Sequence, residues 1–255
     1  MPFDAARFLA LSSTSELGQS LVHRAITGST NDDALAAARS GAAHGSLFVA
    51  DAQTAGRGRR GHAWFATPDE SLLFSVLLRP ELELSQTSAL TLAMGLALRD
   101  AITPLLASPA QLKWPNDLLV NGKKLAGILV ESILQGERLQ AVVVGVGLNL
   151  ESRTFPEESA ARATSMALLG AAPLDREALL RSVLDALALR LTAYRLRGVA
   201  GILDELNAAD ALRGQLIRVD TVSGIARGLD AQGRLLIEDD AGRTHAILAG
   251  TVEIS

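Results

Sequence analysis

The sequence contains no cysteine, and this absence excludes disulfide bonds, thiolate metal sites and cysteine catalysis. The four histidines are scattered, and none forms the helical pair that is typical of zinc hydrolases. The amino terminus has no basic segment leading into an apolar run, and no stretch approaches the roughly 20 apolar residues of a membrane span. These absences predict a chain with no signal peptide and no membrane span, which works in the reducing cytoplasm.

The composition is that of a globular protein, with 48% hydrophobic and 20% charged residues. A net charge of −4, with only two Trp and one Tyr, argues against a general nucleic-acid binder. A local basic patch for a phosphate ligand is still compatible with this charge. The 255 residues suffice for one core and a small additional domain.

Three regions differ in pattern along the chain. Residues 1–20 are Ser-rich and weakly patterned, and we predict that they form a short lead-in. Residues 21–208 combine apolar strands, hairpins and separate helices, which favours an α+β domain with a mixed β-sheet flanked by helices. Residues 209–255 contain short strands separated by Ser-Gly, Gln-Gly and Ala-Gly turns, which predict a small β-barrel.

A Gly- and Arg-rich segment, Gly56–Gly61, lies between two predicted apolar strands, and we call it the Gly-Arg loop. Its three glycines let the backbone approach a ligand closely, and its three arginines suit phosphate oxygens. We expect such a loop to be mobile until an anion neutralises its charge. Taken alone, the same segment fits a basic surface loop or an RNA-binding loop equally well.

A predicted hairpin places two lysines beside an apolar strand. Asn121-Gly122 is the preferred pair for a type I′ turn, and it precedes Lys123 and Lys124. By alternation, Lys124 shares one face with Ala126, while Lys123 shares the other with Gly127. Alternation alone does not decide which lysine faces a site, and an exposed hairpin lysine is the simpler interpretation of either.

Other polar segments have both a structural and a functional interpretation. Ser29–Asn31 begin a predicted helix as caps, yet a helix amino terminus also attracts carboxylates and phosphates. Gln53 has an amide with no obvious structural duty. Gly145 and Gly147 leave room for a flat ligand against a strand, but they form neither a Rossmann fingerprint nor a Walker loop.

Four motifs in order resemble the biotin–protein ligases. They are the Gly-Arg loop followed by Trp64-Phe65, Lys-Trp-Pro-Asn-Asp at 113–117, Lys-Leu-Ala-Gly-Ile-Leu-Val-Glu at 124–131, and Gly-Val-Gly-Leu-Asn at 145–149. The similarity covers about residues 22–150, and the C-terminal barrel resembles the SH3-like domain of that family. It implies an adenylate-forming, carbon–nitrogen ligase that uses MgATP to make biotinyl-5′-adenylate. The ligase then transfers biotin to a lysine of the biotin carboxyl carrier protein of acetyl-CoA carboxylase.

The resemblance also implies roles for individual residues. Lys124, which it selects over Lys123, and Arg59 would be catalytic, and Asp117 would help to place Mg²⁺ through ATP. Biotin binding is implied for Ser29, Thr30, Asn31, Gln53, Arg57, Gly58, Arg59, Trp64, Lys124, Gly127, Leu129, Gly145 and Gly147. ATP binding is implied for Arg57, Arg59, Arg60, Asn116, Asp117, Lys124 and Asn149.

The sequence departs from the family pattern at His62, where relatives usually have another Arg. This change weakens one phosphate contact or makes it pH-dependent near neutrality. Many relatives have an N-terminal winged-helix domain, and the residues before the first strand are too few to form one, so we expect no DNA binding. A homodimer is compatible with the resemblance. The alternatives are a lipoate or octanoate ligase of the same fold and, less consistent with the charge, a non-enzymatic RNA-binding protein.

Overall fold

The structure is a computed structural model that describes residues 2–80, 87–171 and 174–254. The helices are α1 Ala5–Ala10, α2 Thr30–Arg39, α3 Ser88–Ile102, α4 Glu157–Ala160, α5 Arg176–Arg197 and α6 Leu203–Ala209. The strands are β1 Leu21–Thr27, β2 Leu47–Gln53, β3 Ser71–Leu78, β4 Gln111–Lys113, β5 Asp117–Val120, β6 Lys123–Gln135, β7 Arg138–Asn149, β8 Leu216–Val219, β9 Val222–Leu229, β10 Leu235–Glu238, β11 Thr244–Ile247 and β12 Val252–Ile254.

A seven-stranded mixed sheet organises the larger part of the chain. Its order is β1-β2-β3-β7-β6-β5-β4, with β1 and β2 parallel and the other neighbours antiparallel. Helix α2 packs on one face, where Ala34, Phe48 and Leu77 are buried together. Helix α3 packs on the other face, helix α5 packs against α3, and both belong to the main apolar core. The predicted α+β class with a mixed, helix-flanked sheet is confirmed.

The first 20 residues contribute more to the core than their sequence indicated. Asp4 caps α1 by accepting a hydrogen bond from the Arg7 amide. Phe3, Phe8 and Leu17 are buried in the main core. A helix of six residues is too short to show a clear apolar period in the sequence, and its stability comes from tertiary packing.

A bulge in the β5–β6 hairpin corrects our assignment of the Lys124 face. The turn forms as predicted, since both Asn121 and Gly122 have positive φ. The register then shifts so that Leu119 opposes Lys124 while Leu118 opposes Ala126. This extra residue breaks the simple alternation. Lys124 therefore lies beside Gly127, and not on the face of Ala126 as predicted.

The C-terminal part forms a five-stranded antiparallel sheet of order β11-β10-β9-β8-β12. Its strands carry buried side chains such as Ile217, Ala226 and Ile237 into the main core cluster. The predicted small SH3-like β-domain is present, and within the described residues its outer strands β11 and β12 do not pair, so the sheet is not closed into a barrel. Across the described ranges, no helix is both long enough and apolar enough to span a membrane.

Candidate active site

A cavity opens where the Gly-Arg loop, the mixed sheet and the C-terminal sheet meet. Its walls come from the start of α2, the Gly-Arg loop, the 113–117 turn, strands β6 and β7, and the last loop of the chain. The lining residues are Ser29, Thr30, Asn31, Gln53, Arg57, Gly58, Arg59, Arg60, His62, Ala63, Trp64, Lys113, Trp114, Pro115, Asn116, Asp117, Lys124, Gly127, Ile128, Leu129, Gly145, Val146, Gly147, Gly250, Thr251 and Val252.

The start of α2 forms the amide and hydroxyl wall of this cavity. Ser29 takes the N-cap position, yet its side chain makes no capping hydrogen bond. The backbone N–H of Thr30 donates instead to Gln53 Oε1 at 2.7 Å. The hydroxyl of Thr30 lies 2.8 Å from Ser75 Oγ. Polar groups that would ordinarily cap a helix are thus directed into a buried network beside the cavity.

Asn31 is held in one orientation at the centre of this wall. Its Oδ1 lies 2.6 Å from Ser75 Oγ, and its Nδ2 donates to Glu131 Oε2 at 2.7 Å. A Cβ added at Gly145 would lie 1.9 Å from Asn31 Oδ1. Gly145 is therefore required because the side chain of Asn31 occupies the space that any larger residue would fill.

Trp64 packs over Gly147, one of the two glycines that we expected to accommodate a flat ligand, and over Gly127. A Cβ at Gly147 would lie 2.2 Å from Trp64 Cε2, and a Cβ at Gly127 would lie 2.9 Å from Trp64 Cζ3. The indole N–H of Trp64 is buried, and no hydrogen-bond partner for it exists among the described residues. Its donor is therefore available to a group that enters the cavity.

Arg57 is paired with two carboxylates of the chain. Its Nη2 lies 2.7 Å from Asp32 Oδ1 and 2.8 Å from Glu131 Oε2. These bonds tie the base of the Gly-Arg loop to helix α2 and to strand β6. The guanidinium charge is consequently compensated by the protein itself.

The other two arginines of the loop have different surroundings. Arg59 is half-buried, and its Nη1 donates to Asn116 Oδ1 over 3.4 Å. Burial, and then the charge of Arg60, lower the pKa of Arg59, while Asp117 raises it. Arg60 has a positive φ of 53° and donates to Thr251 Oγ1 at 3.1 Å. The tip of the loop thus contacts the C-terminal sheet.

Two lysines complete the positive wall. Lys124 Nζ lies 2.7 Å from Asp117 Oδ1 and 5.5 Å from the centroid of the Trp64 ring. Lys113 opposes Asp117 across the β4–β5 pair. Burial lowers the pKa of Lys113, an effect that Asp117 partly offsets. Of these two lysines, only Lys124 makes an ion pair within the described structure.

Comparison with known proteins identifies the family. Residues 25–149 match the biotin/lipoate A/B protein ligase family, and residues 214–255 match the biotin protein ligase C-terminal domain. The chain is 42% identical over 236 residues to the biotin–[acetyl-CoA-carboxylase] ligase of Mycobacterium tuberculosis, covering 89% of this chain and 85% of that protein. The chain belongs to the biotin protein ligases.

Two further comparisons agree with this assignment. The biotin–[acetyl-CoA-carboxylase] ligase of Paracoccus denitrificans is 36% identical over 232 residues, which cover 85% of this chain and 93% of that protein. A solved structure, the biotin protein ligase from Aquifex aeolicus in complex with biotin and ATP, superposes with a TM-score of 0.80 at 29% identity. That match covers 93% of this chain and 99% of the other.

The ligase brings nearly all of the predicted site residues to one cavity. The exception is Asn149, which the resemblance placed at the nucleotide. Its side chain is buried outside the cavity lining, and its Nδ2 donates to the Thr164 carbonyl at 3.0 Å. Its observed contact is structural, because it ties the end of β7 to the following loop.

Sequence reasoning missed several participants. Glu131 and Ser75 orient Asn31, yet neither was assigned a role, although Glu131 ends the motif at 124–131. Lys113 lies in a motif that we singled out, but no role was assigned to it. Thr251 reaches the cavity from the far end of the chain, and no local signal in the sequence indicated that position.

Proposed function

We propose that the ligase activates biotin with ATP and transfers it to a lysine of a biotin carboxyl carrier protein. The observation that carries this proposal is the division of one cavity into two chemically distinct walls. One wall presents hydroxyl and amide groups around Thr30 and Asn31, and the other presents the cations Arg59, Lys113 and Lys124. A ligand with a polar head and a carboxylate, joined to a phosphate, matches both walls.

The polar wall is the proposed biotin pocket. A ureido group has N–H donors and a carbonyl acceptor, so it needs both kinds of partner. Ser29, Thr30, Asn31 and Gln53 offer hydroxyl and amide groups of both types. The Trp64 ring supplies an apolar surface, and its unpaired indole N–H supplies one further donor. A site with few, fixed polar groups discriminates strongly against analogues that leave them unpaired.

The positive wall is the proposed site of charge stabilisation. Joining a carboxylate to the α-phosphate brings like charges together, and fixed cations at that point lower the barrier by a few kcal/mol each, to order of magnitude. Lys124 is the proposed catalytic cation, and it must exchange Asp117 for the anionic ligand. Arg59 and Lys113 need no such exchange, because neither forms an ion pair within the described structure.

Magnesium fits this site as an ion delivered with the nucleotide. Among the described residues no cluster of three or more His, Cys, Asp or Glu forms a metal site of its own. Asp117 is the one acidic residue in the cavity lining, and Asn116 adds an amide oxygen beside it. Mg²⁺ usually combines one or two carboxylates with substrate phosphates, so Asp117 would hold the ion, and the charge of the ion would help to neutralise the leaving pyrophosphate.

In the second half-reaction an uncharged lysine amine attacks the carbonyl carbon of the mixed anhydride. The C–N bond forms, the bond from that carbon to the phosphate oxygen breaks, and AMP leaves as the amine loses its proton. The Gly-Arg loop, held by the contacts of Arg57 at its base and of Arg60 at its tip, would exclude the water that competes with the amine. Transfer to a carrier domain of this kind, together with the absence of cysteine, favours a cytoplasmic site of action.

Lipoate or octanoate is the alternative acyl substrate, since the matched family includes lipoate ligases. The match to the biotin protein ligase C-terminal domain favours biotin. Isothermal titration of the purified protein with biotin, lipoate and octanoate, each followed by ATP, separates the substrates. Of the three acids, we expect only biotin to bind and, once ATP is added, to support pyrophosphate release. Binding of lipoate without binding of biotin would refute the proposal.

A further inference from the structure

Glu131, on strand β6, connects the polar wall of the cavity to the Gly-Arg loop through a single carboxylate oxygen. Its Oε2 accepts from Asn31 Nδ2 at 2.7 Å and from Arg57 Nη2 at 2.8 Å. The side chain is largely shielded, with 24% of its surface exposed. One anionic group thus joins the start of helix α2 to the base of the Gly-Arg loop.

On the Asn31 side, this contact decides which way the amide points. Nδ2 donates to Glu131 and, more weakly, to the Leu129 carbonyl at 3.4 Å, while Oδ1 lies 2.6 Å from Ser75 Oγ. A carboxylate accepts hydrogen bonds and donates none, so it favours the orientation in which Nδ2 faces Glu131. A neutral amide at position 131 would lose this preference, because it presents donors as well as an acceptor.

On the Arg57 side, the contact anchors the loop. Arg57 is shared between Glu131 and Asp32, which lies 2.7 Å from Nη2. The two carboxylates differ in setting, because Asp32 is 57% exposed and its side chain makes no hydrogen bond to the Asn31 amide among the described residues. An exposed ion pair contributes little, whereas a charged bond shielded from water contributes more.

We propose that Glu131 is a positioning residue that fixes Asn31 and the base of the Gly-Arg loop in the geometry needed to bind biotin. The inference rests on the proposed function, in which Asn31 contacts the biotin head group. Glu131 itself does not line the cavity, so it acts through its two partners and not on the reacting atoms. Its loss should therefore weaken biotin binding more than it affects ATP or the chemical step.

The test compares Glu131→Gln with Asp32→Asn, since each removes one carboxylate from Arg57 and only the first also affects Asn31. The assay is biotin-dependent pyrophosphate release, with kcat and the KM values of biotin and ATP measured separately. We expect Glu131→Gln to raise the KM of biotin about tenfold, the loss expected for one charge-assisted hydrogen bond. The KM of ATP and kcat should change less than about twofold, and Asp32→Asn should resemble wild type.

A second measurement needs no substrate turnover. Trypsin cleaves after arginine, and we expect it to cut the Gly-Arg loop faster in Glu131→Gln than in Asp32→Asn at a temperature where circular dichroism shows both folded. If Glu131→Gln does not fold, Glu131→Asp, which keeps the charge but shortens the reach, replaces it with the same expectations.

Equal biotin KM values and equal cleavage rates in the two variants would overturn the inference, as would a loss confined to kcat. Failure of the proposed function itself is distinguishable, because wild type would then release no pyrophosphate with biotin. In that case the cleavage comparison would still decide whether Glu131 anchors the loop.

Discussion

Replacing Gly145 with alanine tests the geometry of the polar wall most directly. The added Cβ would lie 1.9 Å from Asn31 Oδ1, which is far closer than two non-bonded heavy atoms can approach. Strand β7 cannot move away easily, because Gly145 pairs with Ser75 on one side and Leu129 on the other. Asn31 must therefore leave its position, and with it the bonds to Ser75 and Glu131.

The magnitude follows from those bonds. A neutral buried hydrogen bond contributes roughly 1 kcal/mol and one to a charged group about 2 kcal/mol. Displacing Asn31 from Ser75 and Glu131 thus removes about 3 kcal/mol of the interactions that preorganise the pocket. If biotin binding needs that arrangement, its Kd should rise roughly 100-fold.

The assay is isothermal titration of biotin into Gly145→Ala, with Gly28→Ala as the matched control. Gly28 immediately precedes the same helix start, but a Cβ there would meet nothing within 4 Å. The control should bind biotin as wild type does. Unchanged biotin affinity in Gly145→Ala, with the variant folded, would show that Asn31 is not part of the biotin pocket.

Three further predictions concern the positive wall. Lys124→Met should slow biotin-dependent pyrophosphate release by orders of magnitude, whereas Lys123→Met, which alters the exposed neighbour, should not; equal rates would refute the assignment. Arg59→Gly should release more free biotinyl-5′-adenylate than wild type in a chromatographic assay, because a cation that retains the phosphate is gone. Because burial lowers the pKa of Lys113, its charge is lost at lower pH than that of an exposed lysine. The KM of ATP should therefore rise with alkaline pH, and Lys113→Arg should flatten that rise.

Much of the fold could be predicted because local signals agreed with the final packing. Strand β3 is nearly continuous in apolar residues and is buried along its whole length, and Asn121-Gly122 forms the expected turn. What could not be predicted is non-local. Helix α1 is stabilised by core contacts that its own sequence does not indicate, and whether the C-terminal sheet closes depends on where its outer strands β11 and β12 lie.

For the site, the motifs predicted which residues line the cavity, but not how their side chains are oriented or paired. Lys124 reaches the cavity because a bulge shifts the register, a feature that alternation cannot anticipate. Arg57 is of the residue type expected to bind phosphate, yet its guanidinium forms ion pairs with Asp32 and Glu131. Such partners lie far apart in sequence, and only the folded chain brings them together.

The central claim is that this ligase attaches biotin to a lysine of a carrier protein by way of an adenylate. Intact-mass measurement of a purified biotin carboxyl carrier domain, incubated with the ligase, biotin, ATP and Mg²⁺, tests this claim in one experiment. The account predicts a single added biotin on one lysine, lost when ATP or Lys124 is removed. A carrier that stays unmodified with biotin, but gains a lipoyl or octanoyl group instead, would contradict it.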